Sequence, residues 1–145
     1  MEKNLSGLNN YKTLTQREKL IFLAGVFEGE GSFGYWGKEG KSNRYFRIQI
    51  RMCDEDIVVR FVDYFKLGCI TTNIPKNKKH NKSWKWTVSG DKATAVMLQM
   101  VPYLGIRRQE KFKECCPLFK QLPHLQKSYS TPLIKPLQTK ILQQS

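Results

Sequence analysis

Between Arg44 and Met52 the chain alternates without a break. Tyr45, Arg47, Gln49 and Arg51 take one parity; Phe46, Ile48, Ile50 and Met52 take the other. Successive side chains on a strand point to opposite faces, so this segment is a strand with one dry face and one polar, basic face. Gly31 to Lys38 reads as the strand before it, and Glu39-Gly40-Lys41-Ser42-Asn43 as a turn-rich connection. Together they make a β-hairpin with a cationic surface.

The charge of the whole chain follows the same plan. At 145 residues and 40 % hydrophobic content, one domain with a real core is within reach. Lys and Arg number 25 against 12 Asp and Glu, a net charge of +13. Such a balance excludes a disordered acidic tail and points to a polyanionic partner, with a basic ribosomal-type protein as the plainer alternative. The stretches Gly31–Arg51 and Lys66–Lys92 hold twelve basic residues and two acids, a net +10 of that total. Each also carries aromatics: Tyr35, Trp36 and Tyr45 in the first, Trp84 and Trp86 in the second.

No run of about 18 apolar residues is present, so no membrane span is expected. The segment before Lys19 lacks the apolar stretch of a signal peptide, and the run from Leu20 to Phe27 is broken by Gly25. Cys53, Cys69, Cys115 and Cys116 have no zinc-finger spacing. They read as reduced core or helix thiols of an intracellular protein.

Thr15-Gln16-Arg17-Glu18 is a capping box, so a helix begins there and runs through Leu20, Leu23, Ala24 and Phe27. Gly29, Gly31 and Gly34 end it. After the hairpin, Asp54 caps a second helix, with Glu55 and Asp56 at its positive end and Ile57, Val58, Phe61, Val62 and Phe65 at helical spacing. Gly68 is its expected stop. Cys69 to Ile74 is a strand, Pro75 to Lys82 a polar loop, and Trp84, Trp86 and Val88 mark a fourth strand by alternating with Lys85, Thr87 and Ser89. Asp91 or Ser89 caps a third helix with Ala93, Val96, Met97 and Met100 inward. A further helix begins near Arg107, with Phe112, Cys115, Cys116 and Phe119 inward and Pro117 as a kink. The order is α-β-β-α-β-β-α-α, two αββ halves in a weak repeat. Beyond Pro123 an extended tail is expected, with a short helix over Ile134–Leu142.

Leu23-Ala24-Gly25-Val26-Phe27-Glu28-Gly29-Glu30-Gly31 closes the first helix with two carboxylates one residue apart. Ala24, Gly25 and Gly29 are small enough to let another backbone approach closely. A carboxylate at the end of a helix lies near the last free backbone carbonyls, and such hard oxygen donors suit Mg²⁺. One carboxylate holds a metal poorly. Two copies related by a two-fold axis, with phosphate oxygens in the remaining positions, hold it well.

These nine residues resemble the signature of the LAGLIDADG homing endonucleases, with Glu at both acidic positions and Gly between them. The resemblance spans residues 15–122, leaving 1–14 as an N-terminal extension and 123–145 as a C-terminal tail. It implies an α+β αββαββα fold whose antiparallel sheet forms a DNA-binding saddle. A single motif copy implies a homodimer meeting through Leu23, Ala24, Gly25, Phe27, Glu28 and Gly29. The last acidic position falls on Glu30 as metal ligand, joined by the Gly29 carbonyl, whereas Glu28 holds the helix-end interface. Asp54 matches the place that positions catalytic water. The basic residue near the scissile phosphate falls on Arg107, with Arg108 as the alternative; an arginine there stabilises charge but cannot carry a proton near neutrality. Mg²⁺ is the implied cofactor, with Mn²⁺ or Ca²⁺ able to replace it for binding.

A two-stranded ribbon fits the major groove. The expected DNA-facing residues are Ser32, Gly34, Trp36 and Lys38, then Tyr45, Arg47, Gln49 and Arg51, then Thr71, Asn73, Lys85 and Thr87. Arg47 and Arg51 suit guanine and Gln49 suits adenine. Lys76, Lys78, Lys79 and Lys82 are expected on phosphates. Trp84 and Trp86 are expected in the core, being in phase with Val88; for Trp36 the core competes with the open face. The resemblance implies an intron-encoded enzyme that makes metal-dependent double-strand breaks in a long, partly palindromic site. The alternative is an RNA-splicing maturase or a non-cleaving DNA-binding regulator on the same fold. The implied setting is an organelle or a bacterial, archaeal or phage-infected cytoplasm.

Overall fold

Thr15 starts the first helix through the reciprocal contact its sequence encodes. In the computed structural model, which describes residues 10–38, 40 and 44–115, the Glu18 N–H donates to Thr15 Oγ1 at 3.2 Å and the Thr15 N–H donates to Glu18 Oε1 at 3.0 Å. Helix α1 spans Gln16–Glu30, so it continues through Gly29 and takes both glutamates into its last turn. Strand β1 follows at once over Gly31–Trp36, then β2 over Tyr45–Met52, α2 over Glu55–Phe65, β3 over Cys69–Asn73, β4 over Ser83–Ser89, α3 over Asp91–Met100 and α4 over Ile106–Cys115. Short 3₁₀ turns at Tyr11–Thr13 and Val101–Tyr103 flank α1 and join α3 to α4.

The four strands form one antiparallel sheet in the order β1-β2-β4-β3. Each αββ half thus contributes one central and one edge strand. Phe33 lies opposite Ile48, and Ile48 opposite Val88; Ile50 lies opposite Trp86. These buried side chains form the face beneath the helices. Two aromatic groups anchor it. Phe112 of α4 meets Phe33 and Phe46 at centroid distances of 6.4 and 6.2 Å. On the other half, Phe61 and Phe65 of α2 pack on Trp86 at 4.9 and 5.8 Å. Each such side chain removed from water contributes about 1.5–3 kcal/mol.

Several boundaries differ from expectation for identifiable reasons. β1 stops at Trp36, and Gly37 takes φ 103°, so Lys38 lies beyond the strand. Helix α2 stops at Lys66, which adopts the left-handed conformation (φ 56°). Gly68 is needed for a different purpose. It has φ 86°, and a Cβ there would lie 2.6 Å from the Thr87 carbonyl oxygen and 2.6 Å from Trp86 Nε1, whose N–H donates to the Leu67 carbonyl at 3.0 Å. Helix α3 is capped by Gly90 (φ 72°), not by Ser89 or Asp91. Cys53 and Cys69 are exposed, one in the turn after β2 and one on β3; they are neither core nor helix thiols. Cys115 is half-buried on α4. Trp84 is half-buried, with the Lys82 ammonium 5.1 Å from its ring. Cys116, Pro117, Phe119, the tail with its short helix, and most of the 39–43 turn lie outside the described residues. Among the described residues no helix is long and apolar enough to cross a membrane.

The Thr15 N–H, and then the Thr15 side chain, hold the Glu18 carboxyl below the usual carboxylate range. Thr15→Ala is expected to cost about 1 kcal/mol at neutral pH in urea unfolding. The Glu18 contribution is full above the unfolded value of about 4.3 and fades as pH falls through its lower folded value. The variant keeps the Thr15 N–H, so only the smaller part, that of the Thr15 side chain, differs between the two proteins, and their gap should narrow slightly in strong acid.

Candidate nucleic-acid interface and helix-end cleft

The strand register collects the expected contact residues on the face away from the helices. Ser32 lies opposite Gln49, and Gln49 opposite Thr87, which in turn faces Cys69. Gly34 lies opposite Arg47, and Trp36 opposite Tyr45. Arg51 lies opposite Lys85, which faces Thr71, and Asn73 pairs with Ser83. All of these share one parity, so Ser32, Gly34, Trp36, Tyr45, Arg47, Gln49, Arg51, Thr71, Asn73, Lys85 and Thr87 stand on one open surface. Ser89 and Cys69 join them and were missed, since their small side chains carry no charge signal; Ser83 shares their parity but is buried. Lys38 is exposed just beyond the end of β1, where strand parity no longer assigns it a face. Lys76, Lys78, Lys79 and Lys82 are exposed on the β3–β4 connection at the end of the sheet.

Arg47 is the most constrained cation of the surface. Its guanidinium lies 5.3 Å from the Trp36 ring centroid, and Nη2 donates to Thr87 Oγ1 at 3.4 Å. Trp36 therefore belongs to the open face, where it carries an arginine.

The two glutamates at the end of α1 have different surroundings. Glu28 Oε2 accepts from the Gly105 N–H at 3.1 Å and lies 3.6 Å from Arg108 Nε. Glu30, the last residue of α1, is exposed. Arg108 also donates from Nη1 to the Gly31 carbonyl at 3.0 Å. Two residues along β1, Lys111 Nζ donates to the Phe33 carbonyl at 2.7 Å. β1 is an edge strand, so α4 satisfies its free carbonyls with two cationic side chains. Gly31, Ser32, Phe33, Arg107, Arg108 and Lys111 line a small cleft between β1 and α4. Arg107 is exposed at this cleft, while Arg108 is committed within the chain. Lys111 was missed, because its reach to β1 depends on where α4 docks.

Asp54 precedes α2 but makes no side-chain capping bond. Gly31 lies opposite Ile50, so Glu30 and Asp54 fall at the same end of the β1–β2 pair. Among the described residues no three His, Cys, Asp or Glu side chains gather into a metal-holding group. One chain thus offers the Glu30 carboxylate and the last free carbonyls of α1, including that of Gly29. Mg²⁺ commonly takes one or two carboxylates, with waters and phosphate oxygens completing its shell. The donors present fit that pattern when phosphate and a second copy supply the rest.

The small-residue stripe of α1 is divided between two faces. Leu23, Ala24 and Phe27 are fully buried in the chain's own core, so they are not available to a second copy. Gly25, Glu28 and Gly29 are exposed beside Ile21, which is 42 % exposed. A Cβ at Gly25 or Gly29 would meet nothing within 4 Å.

No family model and no curated protein matches the chain by sequence. Solved structures do match in fold. I-GzeII, a LAGLIDADG homing endonuclease in complex with DNA target, aligns with TM-score 0.55 and 20 % identity over 84 % of this chain and 42 % of its own. I-CvuI, a homing endonuclease in complex with the I-CreI target and 2 mM Mg, with its DNA not cleaved, aligns with TM-score 0.54 and 16 % identity over 86 % of this chain and 82 % of its own. I-CeuI, group I intron-encoded and complexed with DNA, aligns with TM-score 0.55 and 17 % identity over 94 % of this chain and 79 % of its own. The chain therefore spans less than half the length of I-GzeII and about four fifths of the other two. Its fold is that of the LAGLIDADG homing endonucleases.

The open space at Gly25 sets a stability prediction. Glycine inside a helix costs about 0.5–1 kcal/mol relative to alanine. Gly25→Ala should raise the unfolding free energy of the separate chain by about that amount, read by denaturant titration at low protein concentration. Any close packing of this face against a second copy should be weakened by the same methyl group.

Proposed function

We propose that this chain, built on the LAGLIDADG homing endonuclease fold, is a site-specific DNA endonuclease that works as a homodimer with a divalent cation. The observation that carries the reading is the union of two features at one end of the β1–β2 pair. An exposed glutamate closes α1, and the sheet beginning at the next residue turns a cationic, hydrogen-bonding face outward. A surface that only binds DNA has no use for an uncompensated carboxylate, which repels phosphate. For that reason cleavage is favoured over a maturase or a silent regulator.

In this reading the open face enters the major groove. Arg47, Arg51 and Gln49 have the donor and acceptor pattern that base edges recognise. Lys76, Lys78, Lys79 and Lys82 contact phosphates and set affinity without reading sequence. The exposed α1 face around Gly25 and Gly29 meets its counterpart across the two-fold axis. Glu30 of each copy, with the Gly29 carbonyl, would hold Mg²⁺. When bound, the cation supplies an activated water and neutralises the leaving oxygen. I-CvuI has structures with Mg and with Ca present, which is in keeping with such a requirement. Asp54 orients the attacking water from the neighbouring end of β2. Arg107 neutralises phosphate charge from the cleft and transfers no proton.

The proposal is tested with a site selected from a randomised duplex library in Mg²⁺. Glu30→Gln should bind that site with wild-type affinity and leave it uncut in a plasmid linearisation assay; full cleavage by the variant rejects Glu30 as the ligand. Lys78→Ala and Lys79→Ala should each lower the slope of log K against log salt by about 1, for specific and unrelated duplexes alike. An unchanged slope removes these lysines from the phosphate contacts.

A further inference from the structure

Arg107 and Arg108 are adjacent in sequence, yet their surroundings differ. Arg107 is exposed, whereas the Arg108 side chain is only 17 % exposed. Its Nε lies 3.6 Å from the Glu28 carboxylate, its Nη1 donates to the Gly31 carbonyl at 3.0 Å, and its guanidinium carbon stands 5.7 Å from the Phe27 ring centroid. Glu28 and Gly31 are the residues on either side of Gly29-Glu30. One guanidinium thus holds the chain by an ion pair before the dipeptide expected to meet the metal and by a hydrogen bond after it, while its buried Nε makes no hydrogen bond among the described residues. The Gly105 N–H reinforces the first grip by donating to Glu28 Oε2 at 3.1 Å.

The grip addresses a weakness of the sequence. Gly29 and Gly31 flank Glu30, and glycine loses more conformational freedom on ordering than any other residue. The end of a helix also frays readily, because its last carbonyls have no partner within the helix. A metal ligand in such a segment must be fixed to well under an ångström to be effective. The planar guanidinium of an arginine can donate to a carbonyl from one edge while another edge faces a carboxylate, which the compact ammonium of a lysine does less well.

We propose that Arg108 is a positioning residue. It splints Gly29-Glu30 from both sides, so that the Glu30 carboxylate and the Gly29 carbonyl are presented in a fixed arrangement to the divalent cation. This deepens the endonuclease reading and rests on it. Arg108 makes no contact with DNA in this scheme; that task is left to Arg107.

The test uses the full-length protein and two readouts. The first is hydrogen exchange by mass spectrometry on the free protein, without metal or DNA. Arg108→Met should speed exchange of the amides in residues 29–32 by about tenfold, while peptides from β2 and β4 stay unchanged. Glu28→Gln should show a smaller change of the same kind, and it serves as the second variant should Arg108→Met fold poorly. The second readout is the Mg²⁺ concentration giving half-maximal cleavage of the selected site. It should rise at least about fivefold in Arg108→Met and fall part of the way back in Arg108→Lys. Affinity for the same duplex without metal should stay within about twofold.

Unchanged exchange at 29–32, or an unchanged Mg²⁺ midpoint, overturns the splint. So does a loss of metal-free DNA affinity as large as that of Arg107→Ala, which makes Arg108 a phosphate contact instead. Absence of cleavage by the unmodified protein at any Mg²⁺ concentration overturns the endonuclease reading and with it the metal role. The exchange result decides the mechanical part independently.

Discussion

Among the described residues the helices cover one face of the sheet, and such a sheet has to solve two problems at once. Its inner face must bury enough apolar surface to hold the chain together, and its outer face must stay soluble without losing its hydrogen-bonding ladder. The strict alternation of β2 settles both, because β2 is central and pairs with β1 on one side and β4 on the other. Once Phe46, Ile48 and Ile50 are committed inward, the register forces Arg47, Gln49 and Arg51 outward, and Thr87 and Lys85 with them. A slip of one residue would exchange the two sets. The proposed DNA-reading surface is therefore not an addition to the core. It is the same pattern seen from the other side.

The free edge of β1 poses the next problem, and α4 resolves it. Phe112 docks the helix on Phe33 and Phe46, which brings Arg108 and Lys111 to the carbonyls of Gly31 and Phe33. Two main-chain acceptors that would otherwise invite another strand are satisfied by charged donors. The same docking puts Arg107 beside the start of β1, so the cleft cations and the end of α1 are brought together by one aromatic contact.

What could be read in the sequence divides along a physical line. The capping box at Thr15, the alternation of β2 and the parity of Trp86 with Val88 are local patterns, and each survives in the structure unchanged. The roles of Arg107 and Arg108 do not depend on local pattern. On a helix neighbouring residues point about 100° apart, so which arginine turns inward is set by the rotation of α4 against β1. That rotation is fixed by Phe112, several residues away. The α1 stripe is subject to the same difficulty. Ala24 and Gly25 look alike as small residues, but one is inside the core and the other on the surface, because Leu20, Leu23 and Phe27 decide which side of α1 faces the sheet. Trp36 was undecidable from parity alone, since Phe33 and Tyr35 claim the inner positions only once β1 is registered against β2. Lys111 carried no local signal at all.

The contrast between Glu28 and Glu30 bears most directly on function. Carboxylates at the C-terminal end of a helix sit against the negative pole of its macrodipole. Glu28 escapes this cost by leaving its own helix: its oxygen accepts from the Gly105 N–H, just ahead of α4, and its charge faces Arg108. Glu30 is the last residue of the helix and exposed, facing the same unfavourable pole. Bringing a duplex to the sheet that begins at Gly31 adds the phosphate field to that burden. Water and salt tolerate such a charge on a free protein, but a docked polyanion excludes both. The arrangement becomes favourable when a divalent cation enters between carboxylate and phosphate, because each anion then stabilises the ligand that the other needs. Under the proposed function DNA and metal would bind cooperatively, and Glu30, which has no cationic partner among the described residues, would mark where they meet.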